Sequence, residues 1–90
     1  MIDPQDIQPG ASYACRFTLR DIPLDEWGRP AGLMSLADVP ITRTGDYEGF
    51  GVIVTRDVEQ ELFEIEDVEL KRTWIVSWQD TRDIDTVEWR

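Results

Sequence analysis

Between Asp57 and Glu69 the stretch "DVEQELFEIEDVE" carries seven carboxylates and no base. Glu59, Glu61, Glu64, Glu66 and Asp67 are its candidates for chemistry. Carboxylates this dense can work as acid–base pairs, hold a divalent cation, or dock a basic partner. Read as a strand, "ELFEIE" turns Phe63 and Ile65 inward and Glu64 and Glu66 outward. The two glutamates then stand about 6–7 Å apart, near the spacing of successive phosphates on one DNA strand. That spacing suits docking onto a basic protein, and it suits mimicry of DNA. A solvated face that stops edge strands from pairing accounts for the same residues, and the readings stay open.

Catalysis is poorly served elsewhere. The chain has no histidine, hence no Ser-His or Cys-His pair and no histidine-based metal site. Cys15 alternates with Tyr13 and Phe17, which marks a small buried hydrophobe rather than a nucleophile. "DTRDID" lacks the glycine and terminal glutamate of a helix-loop-helix calcium site. No glycine-rich phosphate loop is present. The expectation is a non-enzymatic protein with no cofactor, no metal and no catalytic residue.

The aromatic residues are the other candidates. Trp27 sits in "DEWGRP", a polar loop without apolar neighbours, where an exposed ring would anchor an interface. Folding back over the domain is the alternative. Trp74, Trp78 and Trp89 crowd the closing stretch "RTWIVSWQDTRDIDTVEWR", which asks whether they build a core or a binding surface.

Ninety residues suit a single domain, 1–90, with an irregular arm over residues 1–10. Nine basic and 19 acidic side chains leave a net charge of −10. Such a field repels a phosphate backbone, so direct nucleic-acid binding is disfavoured and a basic protein partner is allowed. The start "MIDPQDIQPG" reads as neither a secretion leader nor a membrane anchor. No apolar run approaches the ~20 residues of a membrane helix. A lone cysteine fits a reducing compartment, with the cytoplasm as the default.

The positioning elements read as strands. "SYACRFTLR" puts Tyr13, Cys15, Phe17 and Leu19 on one face. "DIPLDEWGRPAG" reads as a long loop and "LMSLADVPI" as a short apolar segment that Pro40 keeps from being a central strand. "TRTGDYEG" reads as a turn. "FGVIVTR" follows as a strand, with Phe50, Val52 and Val54 on one face and a bend at Gly49 and Gly51. Residues 57–69 fit either helix or strand, and hairpin-length links to both neighbours favour the strand. Trp74, Val76 and Trp78 share one face of the next strand, "QDTRDID" is a polar turn, and "TVEW" closes. The expected core is Phe17, Val52, Val54, Ile65 and Val76 with at least one of Trp74 and Trp78. Five short strands imply an all-β fold, a small antiparallel barrel.

Taken together, "PGASYACRF", a long first loop, "YEGFGVIV" and "TWIVSWQDTRDIDTVEW" resemble the Src-homology-3-type and Tudor-like small barrels. Those close with a strand, an acidic turn and a short final strand. The Tudor-like resemblance implies an aromatic cluster for methylated lysine or arginine, here Tyr47, Phe50 and Trp78 with Asp80 nearby. "DIQPGASYACRF", "YEGFGVIVTRD" and "VSWQDTRDIDTVEW" are also similar to small uncharacterised proteins encoded by phages of actinobacteria.

The expected function is therefore that of an acidic phage protein binding a host or phage protein in the host cytoplasm, as in host takeover. The alternatives are a virion or head–tail assembly component and a DNA mimic that inhibits a nucleic-acid-binding protein. Neither partner nor oligomeric state is specified.

Overall fold

Alternating apolar residues in short runs give strands, and the computed structural model, which describes residues 2–8, 10–31 and 43–87, is all-β. Its strands are β1 (Tyr13–Leu24), β2 (Arg43–Asp57), β3 (Leu62–Asp67), β4 (Thr73–Ser77) and β5 (Thr81–Thr86). One-turn 3-10 helices cover Pro4–Asp6 and Trp78–Asp80. The strands form one antiparallel sheet in the order β4-β3-β2-β1-β5. Among the described residues nothing pairs β4 with β5, so the sheet is open where the sequence suggested a closed barrel. The stretch "QDTRDID", read as a polar turn, is turn only through Asp80 and strand from Thr81, because Ile84 is buried there, and this strand β5 pairs with β1 rather than with β4. The segment "LMSLADVPI" and Trp89 lie outside the described residues.

The chain falls into two compact units, Met1–Phe17 with Gly49–Arg90, and Thr18–Glu48. In the first unit Tyr13, Cys15 and Phe17 of β1 are buried with Phe63, Ile65, Val76 and Ile84. Phe63, Ile65 and Asp67 alternate with exposed Glu64 and Glu66, so the segment with two readings is a strand with the expected faces. Trp74 and Trp78 are only half-buried, which corrects the expectation that one of them is core. Val76 between them is buried.

The faces of β2 also depart from expectation. Val52 is half-buried and Val54 is 54% exposed. Gly51 is buried and Gly49 lies against Phe17 instead, while Ile53 is half-buried like Val52. A Cβ on Gly49 would strike the Phe17 ring, with Cε2 at 2.9 Å. One on Gly51 would strike the Glu66 carbonyl oxygen and Ile65 Cγ2, the latter at 2.6 Å. Gly49 thus makes room for the Phe17 ring, and Gly51 for the close approach of the Glu66 carbonyl and Ile65. Val54 is the unpaired residue of a bulge, because Ile53 pairs with Ile65 and Thr55 with the adjacent Glu64.

Both hairpins of this unit use one device, announced by a repeated "DVE". Asp57 Oδ1 accepts from Gln60 N at 3.1 Å, and Asp67 Oδ1 accepts from Glu69 N and Leu70 N at 2.9 and 3.1 Å. Four residues after each aspartate the chain turns left-handed, at Glu61 (φ 55°) and Lys71 (φ 54°). A second repeat, "RDI", marks the other left-handed non-glycine residues among those described, Asp21 (φ 53°) and Asp83 (φ 54°). Asp83 lies where the β1–β5 register slips between Ala14 and Arg16.

The N-terminal arm is tied down. Ile2 N donates to Ile84 O at 3.2 Å, Gln8 N to the Tyr13 hydroxyl at 3.0 Å, and Arg56 Nη1 to Ile7 O at 2.6 Å.

In the second unit, strand replaces two stretches read as loop and turn. β1 continues through Leu24, and β2 starts at Arg43, so most of "TRTGDYEG" is strand. Leu24, Ala31 and Tyr47 are buried there.

Candidate functional site

Trp27 occupies a tight turn held by one side chain. Asp25 is buried, and its Oδ1 accepts from Trp27 N and Arg29 N, each at 2.9 Å. Asp25 N donates to Arg29 O at 2.8 Å, and Gly28 N, at a residue with φ 79°, donates to Asp25 O at 3.1 Å. An isolated bridge between Leu24 and Pro30 closes the base. The backbone is therefore fixed while the Trp27 side chain is 75% exposed. A rigid aromatic held in water by a braced turn has the character of an interface anchor, since little order is lost when it binds.

The acidic candidates divide into surface and core. Glu59 and Glu61 are exposed in the β2–β3 turn, and Glu64 and Glu66 are exposed on β3. Across the outer face, Glu64 lies between Thr55 and Ile75, and Glu66 between Val52 and Thr73. Ile75 is 68% exposed. A groove of about 430 Å³ runs along this face, lined by Thr55, Arg56, Asp57, Leu62, Glu64 and Ile75 among others.

Asp67 belongs to the core and not to the acidic surface. Besides its two backbone donors, its Oδ2 accepts from Trp74 Nε1 at 3.3 Å. Arg72 lies 4.8 Å above the Trp74 ring. These contacts make Asp67 the brace of the β3–β4 turn.

The expected aromatic cluster fares poorly as a site. Tyr47 is buried, Phe50 is 45% exposed, and Trp78 and Asp80 are half-buried in the turn after β4. The Trp78 ring leans on Phe63, centroids 5.6 Å apart at 32°. Burial withdraws Tyr47 from ligands, and the contact with Phe63 gives Trp78 a packing role. Its Nε1 is buried without a hydrogen-bond partner among the described residues.

Cys15 is buried, and burial pushes its thiol up to about 11. A thiol so raised is not a nucleophile at neutral pH.

Sequence reading did not anticipate the brace at Asp25 or the end of the sheet at β4. The first had a signal in "DEWGR", an aspartate two residues before an exposed ring and three before a glycine. The second depends on which strands pair, which no single segment encodes. No family model matches the chain, and neither a curated protein nor a solved structure does.

Proposed function

We propose that this chain is a non-enzymatic protein-binding module whose partner carries positive charge. The observation that carries the reading is Trp27, exposed on a turn that Asp25 holds rigid. Outward Glu64 and Glu66 add the charge that would speed association with a basic partner. The finer reading is a Src-homology-3-like fold, with its sheet left open, encoded by a phage and acting in the host cytoplasm. It is supported by the short acidic turn Trp78–Asp80 leading into the final strand β5, and by the resemblances of sequence.

The experiment is affinity capture from actinobacterial host lysate with the intact chain, at low and high salt. Trp27→Ala should weaken capture about thirtyfold, the effect of losing one strong interface anchor. It should leave the melting temperature unchanged, because the ring is in water. Capture that survives Trp27→Ala undiminished overturns the reading.

A second reading, mimicry of DNA, is favoured by the outward pair Glu64 and Glu66 on one strand face. Duplex DNA that competes for the captured protein would support it.

A further inference from the structure

We propose that β4 is a docking edge for an extended segment carrying lysine or arginine at alternate positions. The inference rests on the protein-binding reading and names a surface and an occupant for it.

Two hydrogen bonds bracket the β3–β4 ladder and set its phase. Trp78 N donates to Glu61 O at 2.9 Å at one end, and Asp67 N to Arg72 O at 2.7 Å at the other. Bonded and non-bonded pairs alternate along an antiparallel ladder. Counting inward from either end, Phe63↔Val76 and Ile65↔Trp74 are the bonded pairs, and Glu64↔Ile75 and Glu66↔Thr73 are not. Thr73 and Ile75 therefore aim their N–H and C=O groups away from β3. On that side the sheet ends, with no further strand among the described residues.

The two edges of the sheet are built differently. β5 carries Arg82, Asp83 and Asp85, is kinked at left-handed Asp83, and has Ile84 O capped by Ile2 N at 3.2 Å. Charges, kinks and covering segments are how proteins block edge pairing. β4 reads "TWIVS", with no charge and no proline. It is the edge left able to accept a strand.

The side chains select the occupant. In a bonded pair with Ile75, the incoming residue would project on the same face as Ile75, beside the groove that Glu64 lines. A lysine or arginine there lays its aliphatic stem along Ile75 and brings its cation to Glu64. Two residues on, a second basic side chain passes Thr73 toward Glu66. Neither glutamate has an ion-pair partner among the described residues. A second copy of this chain is the wrong occupant, since each copy carries a net charge of −10.

The test titrates the intact chain with a fluorescein-labelled peptide of alternating lysine and valine, followed by anisotropy and by amide hydrogen exchange. Binding should saturate and slow exchange at Ile75. N-methylation of the lysine nitrogens, which face β4 in this register, should weaken binding at least about tenfold, and N-methylation of the valine nitrogens should not. Ile75→Pro should weaken it similarly, because proline is tolerated where the N–H points off the sheet. Glu64→Lys with Glu66→Lys should lower affinity and flatten its salt dependence. Equal binding by both methylated peptides overturns the proposal, as does an Ile75 amide already protected in the free chain, or self-association in place of peptide binding. If the peptide fails while capture of a partner still depends on Trp27, the edge is wrong and the protein-binding reading stands.

Discussion

Asp67 and Trp74 meet across the β3–β4 turn, the indole Nε1 donating to a carboxylate that also caps two backbone amides. An acid that sequence alone counts among surface charges is thereby the turn's central acceptor. Asp67→Ala should cost about 2–3 kcal/mol, since it leaves partly buried donors without an acceptor. Asp67→Asn should cost less, because one amide oxygen still caps Glu69 N and Leu70 N. Urea unfolding of the two variants checks the order, and equal losses would contradict it.

Lys71 and Glu61 sit in left-handed backbone that disfavours a side chain. Lys71→Gly and Glu61→Gly should each stabilise the fold by about 0.5–1 kcal/mol, the relief of strain exceeding the added chain entropy. The two turns are separate, so the gains should add. Thermal denaturation of both singles and the double gives the answer.

Gly49→Ala and Gly51→Ala should both destabilise, by about 1–3 kcal/mol, through collision with packed neighbours. The remedies differ. At Gly49 the obstacle is the Phe17 side chain, so Phe17→Leu should recover part of the loss. At Gly51 the nearest obstacle is the Glu66 backbone carbonyl, with Ile65 Cγ2 next to it, so trimming Ile65 should not recover the loss. Rescue of Gly51→Ala by Ile65→Ala, which removes the Cγ2 methyl, would refute this account.

Cys15 should resist iodoacetamide in the native chain and react rapidly once unfolded. Its thiol is raised from an ordinary 9.0 to about 11 by burial. The neutral form is the one the fold prefers. The stability it contributes is complete below pH 9.0 and is lost as pH rises toward 11. Comparing alkaline denaturation of the native chain with that of Cys15→Ala measures the difference.

How much of this was legible differs from strand to strand. β4 announces itself because Val76 lies between flanking tryptophans of the same phase, whereas residues 57–69 fit helix as well as strand, and only hairpin-length links to the neighbours favour the strand that β3 is. β2 misleads for a definite reason. Its inward positions are filled by Gly49 and Gly51, which register on no hydrophobic scale as core, while Val54 owes its exposure to a bulge. The open sheet was also out of reach, because β4 and β5 are neighbours in sequence and only the assembled fold shows β5 pairing with β1 rather than with β4. Of the candidate site, Glu64 and Glu66 face outward as the strand reading implied, and Trp27 takes the exposed one of its two readings. Asp67 and Tyr47 do not, since the hydrogen bonds that draw Asp67 inward come from turn amides and an indole that only the fold assembles.

The order of the strands also has a kinetic consequence. β2, β3 and β4 are joined by short turns, each braced by its own aspartate, and their contacts need only brief chain closures. The β1–β5 pairing, Tyr13 with Thr86 and Phe17 with Thr81, must close nearly the whole chain. Folding should therefore nucleate on the two hairpins, with β5 docking on β1 afterwards. Substitutions at Asp57 and Asp67 should slow refolding, whereas Ile84→Val should act chiefly by hastening unfolding.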